Sequence, residues 1–273
     1  MLVSSLPLLR KAQKGKYAVG AFNVNNMEML QAVVNAAEKE RAPVIIQTTE
    51  NAIKYAGLDY LVAMVRVASK TQLPVALHLD HGKNLETIKK CVKAGYTSVM
   101  FDGSKLSLKK NIEMTQKAVK IAGRKINVEG ELGRIGSRKV AIENNFYTDP
   151  EEARIFVKRT GITSLAVAIG TKHGFNKGAI KLRFDILKEI RKSVSVPLVL
   201  HGSSDLKESE IGKLIKSGIC KFNIDSNLRL AFTDALRKNQ QEKDPRNMLG
   251  PAREAVEKVV REKIRLFRCN GKI

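Results

Sequence analysis

The sequence predicts an α/β fold, a closed (β/α)8 TIM barrel with an additional C-terminal helix. Eight short runs rich in aliphatic and β-branched residues recur along the 273 residues, and a longer segment with helical spacing typically follows each. No stretch rich in Pro, Gly or Ser divides the chain, so residues 1–273 read as a single domain, close to the length of about 250 residues typical of such barrels. Near-continuous apolar runs suit strands covered on both faces, and strands that alternate with helices pair in parallel. A doubly wound open sheet is the competing architecture.

The first run is YAVGAFNV (17–24). After it, NNMEMLQAVVNAAEKE places Met27, Leu30, Val33 and Val34 at the intervals of an amphipathic helix. PVIIQTT (43–49) comes second, with the helical segment LDYLVAMVRVASK behind it, and PVALHLD (74–80) third, followed by NLETIKKCVKAG. SVMFDGS (98–104) precedes LKKNIEMTQKAVKIAG. INVEGEL (126–132) leads into the longest irregular stretch, GRIGSRKVAIENNFYTDP (133–150). Long structureless loops in compact domains are commonly functional, so this one is expected to be a mobile cover over a site. SLAVAIG (164–170), PLVLHGS (197–203) and CKFNIDS (220–226) complete the eight, with SEIGKLIKSG between the last two. Several helical segments end in Gly, which accepts the left-handed conformation of a helix stop. Beyond the turn-rich connection KNQQEKDPRNMLGP, AREAVEKVVREKIRLF reads as the final helix.

The formal charge of +22, from 49 Lys and Arg against 27 Asp and Glu, raises the question of a nucleic-acid partner. The basic residues are spread over KNLETIKK, KLSLKKN, KAVKIAGRK and KEIRK, at spacings that put them on outer helix faces. Trp is absent and the aromatics are not interleaved with these runs, so no stacking platform is visible. Nucleic acid is therefore not the expected partner; the charge reads as a solvated surface that also attracts anionic metabolites. Cys91, Cys220 and Cys269 form no CxxC pair and indicate neither a disulfide framework nor a thiolate zinc site. No apolar stretch approaches the roughly 18 residues that span a bilayer. MLVSSLPLLRKAQKGK lacks the early basic residues and cleavage site of a signal peptide, so a cytoplasmic protein without a membrane partner is expected.

The chain holds four histidines, and three share one setting. His81 closes LHLDHG, His173 closes AVAIGTKHG and His201 closes PLVLHG, so each ends an apolar run and precedes Gly. In a (β/α)8 barrel the C-terminal ends of the strands form one mouth, where residues remote in sequence meet. Three imidazoles there suit a zinc ion with an open coordination position. His78, one pleat away, is read as structural. Asp80, beside His81, is a candidate general acid/base or a partner that orients an imidazole. Glu129 and Glu131 face one way on the fifth run, and Asp102 ends the fourth. So many carboxylates at strand ends are costly in a purely structural core and fit a polar mouth that bears metal. HGSSD (201–205) and NIDSN (223–227) fall in the loops after strands seven and eight, the usual phosphate site of this fold. Helix capping is the alternative role for Ser204 and Ser226.

These residues, in this order, resemble the class II, zinc-dependent fructose-bisphosphate aldolase family. The likeness runs from AFNVNNMEMLQAVVNAAE through HLDHG, VEGELGRIG, AVAIGTKHG, LVLHG and NIDSNLR to DPRNMLGPAR. It implies the same barrel and a catalytic Zn2+ held by His81, His173 and His201, with Glu131 close to the metal and Asp102 near a secondary ion site. Asp80 would protonate the aldehyde oxygen during condensation. Gly174, Gly202, Ser204, Asn223, Asp225 and Ser226 would bind the triose phosphate, and Arg246 in DPR and Thr49 in QTTEN the far phosphate. Sugar bisphosphate and triose phosphate substrates, a monovalent cation (Na+ or K+) near the phosphate loops, and a homodimer or homotetramer are implied as well.

Two positions depart from the family pattern. After ELG the family usually continues with GxxGG and an acidic pair, one member of which handles the C3 proton; here Arg138 and Lys139 stand about there, and Glu143 is the candidate substitute. Asp205 in HGSSD occupies a place where Gly is usual. The activity expected from the resemblance is reversible, metal-dependent cleavage of fructose 1,6-bisphosphate to dihydroxyacetone phosphate and glyceraldehyde 3-phosphate, in glycolysis and gluconeogenesis. NIDSNLR favours it over the tagatose-bisphosphate branch, where Ala commonly replaces the acid at position 225. A tagatose-bisphosphate aldolase is one alternative; the other is a relative that keeps the zinc and sugar-phosphate sites but catalyses weakly, for want of the acidic pair.

Overall fold

The computed structural model describes residues 1–133, 147–172, 174 and 181–273. Eight parallel strands close in sequence order: β1 (Val19–Asn23), β2 (Val44–Thr49), β3 (Val75–Gly82), β4 (Ser98–Phe101), β5 (Asn127–Leu132), β6 (Ser164–Val167), β7 (Leu198–Leu200) and β8 (Ile219–Ile224). β8 returns to pair with β1, which excludes the open sheet. All eight expected runs contain a strand. Every strand residue is buried except Thr49 and His81 at the mouth, which is why the runs are apolar without alternation.

The helices among the described residues are α1 (Ser5–Gly15), α2 (Met27–Glu40), α3 (Glu50–Ala56), α4 (Leu58–Ala68), α5 (Leu85–Ala94), α6 (Leu108–Ala122), α7 (Pro150–Thr160), α8 (Phe184–Ser193), α9 (Glu208–Lys216), α10 (Ser226–Lys238) and α11 (Pro245–Leu266). Their starts follow local chemistry. Asn26, Asn84, Ser107 and Asp149 each accept a hydrogen bond from a backbone N–H of the first turn that would otherwise lack a partner. Gly95 and Gly161 stop α5 and α7 in the left-handed conformation.

Three elements go beyond the sequence reading. The N-terminal stretch forms α1, which packs against the N-terminal end of the barrel through Leu8, Leu9 and Ala12, and its Ser5 hydroxyl donates to Ser98 Oγ at 2.9 Å. The short helix α3 is started by the Thr49 hydroxyl, which accepts from Ala52 N at 3.2 Å. α11 begins inside the expected turn-rich connection. Asp244 caps it by accepting from Arg246 N at 2.9 Å, and Pro245 occupies a first-turn position where a missing N–H is harmless. Pro251 forfeits a backbone bond within the helix. Burial of Ala252, Val256, Val260 and Ile264 offsets that loss.

The main core lies between the strands and the helix layer. The barrel interior differs from it: a separate cluster of Met100, Ala166 and Val199 shares that space with many buried polar side chains. At the N-terminal end Asn127 Nδ2 donates to Ser98 Oγ at 3.2 Å and to Ser164 Oγ at 3.1 Å. Above them, towards the C-terminal ends of the strands, come His78, Glu129 and Lys221, and then Asp80, Glu131, His201 and Asn223. The polar groups are thus stacked beneath the mouth. The chain segment after α11 closes over this barrel from outside, where Phe267 stacks on Phe222 of β8 with ring centroids 4.7 Å apart. Phe267→Ala is expected to lower unfolding stability by about 3–5 kcal/mol, the cost of an aromatic deletion in a tightly packed core. Urea denaturation measures it, and a change below about 1 kcal/mol would mean that this joint is not tightly packed.

Candidate active site

Alternation along β3 turns His78 and Asp80 to the barrel interior and would send His81 outward to the helix layer. The strand avoids this with one extra residue. Leu79 pairs with Val99, but Gly82 pairs with Phe101, so three steps on β3 match two on β4, which is a β-bulge. His81 carries the distortion at φ 50°, the left-handed region uncommon for residues other than Gly. Gly82 is required beside it, because a Cβ there would lie 2.6 Å from Met100 O. Asp80 and His81, adjacent in sequence, thereby both face the mouth.

There His81 meets His201 from beyond β7. His81 Nε2 and His201 Nδ1 are 3.0 Å apart, with the rings edge to face at 76°. Asp80 Oδ1 lies 3.9 Å from the same His81 nitrogen. Each imidazole has a carboxylate behind it: Asp102 Oδ2 is 2.9 Å from His81 Nδ1, and Glu129 Oε1 is 2.9 Å from His201 Nε2. Such pairing fixes the ring and directs its other nitrogen at a shared point, the arrangement of metal-binding histidines. Among the described residues, two groups have donor atoms close enough for one ion: Asp80, His81 and His201, and His81, Asp102 and Glu131. Asp80 is itself held by two amides, Asn23 Nδ2 on one oxygen and Asn223 Nδ2 on the other, both at 3.0 Å. Gln47 Nε2 in turn donates to Asn23 Oδ1 at 2.6 Å.

The charges explain what this geometry favours. Burial disfavours a charged His81, but Asp80, Asp102 and Glu131 outweigh it and raise the imidazole to about 10. Burial likewise opposes an ionised Asp80; the positive fields of His81, His201 and Lys221, with the Asn23 bond, keep it below the usual carboxylate range. Asp102 is held low despite burial by its bonds to His81 and Ser104. Glu131 goes the other way. Burial pushes it up to about 8, with His81 opposing and the neighbouring carboxylates adding. Among the described residues, Glu131 Oε2 is a buried oxygen without a hydrogen-bond partner. A buried acceptor left over beside a second carboxylate and an imidazole fits a cation better than it fits a closed hydrogen-bond network.

The expected phosphate loops come together. Gly202 sits at φ 64°, and a Cβ there would lie 2.5 Å from Lys172 O, so the loop after β7 rides directly on the loop after β6. Gly174 in that second loop is also left-handed, at φ 84°. Ser204 is half-buried, and its carbonyl accepts from Lys263 Nζ at 3.4 Å, next to Asp205. Asn223 belongs to the cluster around Asp80. Asp225 pairs with Arg229 at 2.9 Å; burial raises its carboxyl and Arg229 opposes. Ser226 is the first residue of α10, and its neighbour Asp225 is the N-cap. Thr49 pairs in register with Asp80, at the rim. Arg246 is not drawn into this group: it is 88% exposed at the start of α11 and bound to Asp244 at 2.6 Å. His78 is buried below the mouth, with Nδ1 2.7 Å from Ser98 Oγ. His173 and Glu143, with Arg138 and Lys139, lie outside the described residues. Asn23, Gln47, Lys221 and Arg229 were not singled out from the sequence. The available signal was a polar residue inside each of three apolar runs, and an arginine one helical turn from Asp225.

The family model for class-II fructose-bisphosphate aldolase matches residues 3–272. A fructose-bisphosphate aldolase of Thermus caldophilus is 43% identical over 304 residues, with 100% of both chains covered. The D-tagatose-1,6-bisphosphate aldolase subunit GatY of Klebsiella oxytoca is 42% identical over 282 residues, covering 100% of this chain and 99% of the relative. The crystal structure of the YdjI aldolase from Escherichia coli K12 superposes with a TM-score of 0.90 at 37% identity, covering 100% of this chain and 99% of that one. Among the described residues, no helix is long and apolar enough to cross a membrane.

A divalent ion at this site must displace the proton that the carboxylates place on His81. Zn2+ binding at pH 7.5 is therefore expected to release at least about one proton per ion, with apparent affinity rising about tenfold per pH unit up to the raised value of His81. Calorimetry in two buffers of different ionisation enthalpy counts the protons. Binding without proton release would contradict the charge state assigned to His81.

Proposed function

The chain belongs to the class II fructose-bisphosphate aldolase family, and we propose that it catalyses the reversible cleavage of fructose 1,6-bisphosphate to dihydroxyacetone phosphate and glyceraldehyde 3-phosphate. One observation carries the reading: an ionised Asp80 beside two imidazoles that turn His81 Nε2 and His201 Nδ1 to one point, 3.0 Å apart. His81 and His201 would hold Zn2+ together with His173, which joins them by family likeness. Glu131 supplies a further oxygen close to the ion, and Asp102 orients His81 or holds a secondary ion. When bound, Zn2+ supplies a Lewis acid that stabilises the negative charge left on the triose-phosphate half when the C3–C4 bond breaks.

The protein's own groups handle binding and protons. Asp80, kept ionised and fixed by Asn23 and Asn223, takes the proton of the C4 hydroxyl during cleavage and returns it to the aldehyde oxygen during condensation. Gly174, Gly202, Ser204, Asn223 and Ser226 line the triose-phosphate subsite, with backbone amides and the start of α10 facing the dianion. A monovalent cation, Na+ or K+, would neutralise charge there. Glu143 is proposed for the C3 proton, and Thr49 and Arg246 for the far phosphate. The net charge of +22 favours capture of a bisphosphate. A homodimer or homotetramer is the proposed assembly.

By family likeness, an acid at position 225 favours the fructose isomer; here Asp225 is ion-paired with Arg229 at the start of α10. Tagatose 1,6-bisphosphate is the second reading, supported by a relative of nearly equal identity. Assays on both bisphosphates are expected to show faster cleavage of the fructose isomer, abolished by a chelator and restored by Zn2+. Faster turnover of the tagatose isomer would reverse the substrate assignment, and trace activity on either would favour a weakened relative. Asp80→Asn is expected to retain Zn2+ while kcat falls by about 10²-fold or more. Loss of Zn2+ from that variant would make Asp80 a ligand and not the proton carrier.

A further inference from the structure

Beneath the two imidazoles the barrel buries a charged pair that the proposed reaction does not use. Glu129 on β5 and Lys221 on β8 are 0% and 1% exposed, with Oε2 and Nζ 2.9 Å apart. Taking both charges out of water offsets most of their attraction, so well-packed apolar side chains would serve a purely structural core at least as well. The contacts of the pair lead towards the mouth. Glu129 gives Oε2 to Lys221 and Oε1 to His201 Nε2, each at 2.9 Å. Lys221 Nζ also lies 3.4 Å from His78 Nε2. Burial, with the neighbouring charge of Lys221, holds His78 well below the ordinary imidazole range, so it is a neutral acceptor for the lysine. The other His78 nitrogen is fixed by Ser98 Oγ at 2.7 Å.

An imidazole that binds metal must offer a lone pair on the nitrogen facing the ion, and the partner of its other nitrogen decides which one that is. A carboxylate can only accept, so Glu129 requires the proton of His201 on Nε2 and leaves the lone pair on Nδ1. Nδ1 is the atom that faces His81 Nε2. Lys221 donates to the second oxygen of Glu129, which keeps that oxygen an acceptor and the carboxylate turned towards His201. We infer that Lys221 is a positioning residue for the metal centre: acting through Glu129, it fixes His201 in the tautomer whose Nδ1 carries the lone pair that takes the ion. This inference rests on the metal-dependent reading proposed above.

The test titrates metal-free protein with Zn2+ against a chromophoric chelator, for the parent and for E129Q, K221M and the double variant E129Q/K221M. Long-range 1H–15N spectra of the histidines read the tautomer, and thermal melts check folding. Either single variant is expected to weaken Zn2+ binding about 10–100-fold and to replace the single Nε2–H form of His201 by a mixture. The double variant is expected to lose about as much as the stronger single variant, because both side chains act along one path. Folded variants that bind within about twofold of the parent and keep the tautomer, even with lowered melting temperatures, would overturn the inference and leave the pair a packing role. Should an unpaired buried charge prevent a single variant from folding, the charge-balanced double variant is held to the same criterion. A parent protein that binds no Zn2+ would overturn the inference together with the reading on which it rests; a parent that binds tightly while the variants do likewise overturns the inference alone.

Discussion

Two imidazole nitrogens, His81 Nε2 and His201 Nδ1, are held 3.0 Å apart at the end of a closed barrel, and most of the polar architecture below them serves to keep them there. Two neutral acceptors at that distance repel, so the pair needs a cation between them, whether a proton or a metal. The protein prepares for either. Asp80, Asp102 and Glu131 surround His81 with negative charge, and Glu129 stands behind His201. Against burial, the mutual fields of these groups raise His81 and hold Asp80 and Asp102 below their ordinary values, while burial raises Glu131. This splitting of neighbouring groups is the mark of a site built for chemistry.

Such a cluster is costly inside a barrel that is usually filled by branched aliphatic side chains. The fold accommodates it by separating two tasks. Cohesion comes from the apolar layer between strands and helices, including the Phe222–Phe267 stack and the buried face of α11. The interior is given over to a polar column in which most groups are partnered, from Ser98 and Asn127 at the closed end to Asn223 and Asp80 at the mouth. α1 belongs to the same arrangement, since its Ser5 hydroxyl completes the lowest layer. Partnered polar groups in a low-dielectric interior are rigid, and rigidity is what a site for a metal and a dianion needs.

Much of this was legible in the sequence, and the remainder was hidden for identifiable reasons. The strands showed as near-continuous runs because both faces of each are buried, and several helices showed through their spacing and their terminal Gly. His81 and His201 stood out through their common position before Gly. The Gly has a physical role in each case: Gly82 lets the bulge approach Met100 O, and Gly202 lets one loop ride on Lys172 O. The bulge itself was not legible, because simple alternation places His81 on the wrong face. Asn23, Gln47 and Lys221 looked like isolated polar residues within apolar runs, and only closure of the barrel brings them onto Asp80 and Glu129. The helical start of α11 was masked by Pro245 and Pro251, which a local reading assigns to a turn. Arg246, which the resemblance implies at the far phosphate, pairs with Asp244 at the start of that helix.

The central claim is that these imidazoles share one divalent ion. X-ray absorption at the zinc edge of stoichiometrically loaded protein addresses it directly. The account predicts nitrogen and oxygen neighbours at about 2.0–2.1 Å, with the outer-shell scattering of imidazole rings. Failure to load zinc stoichiometrically, or a shell of sulfur at about 2.3 Å from Cys91, Cys220 or Cys269, all of which are buried, would contradict it.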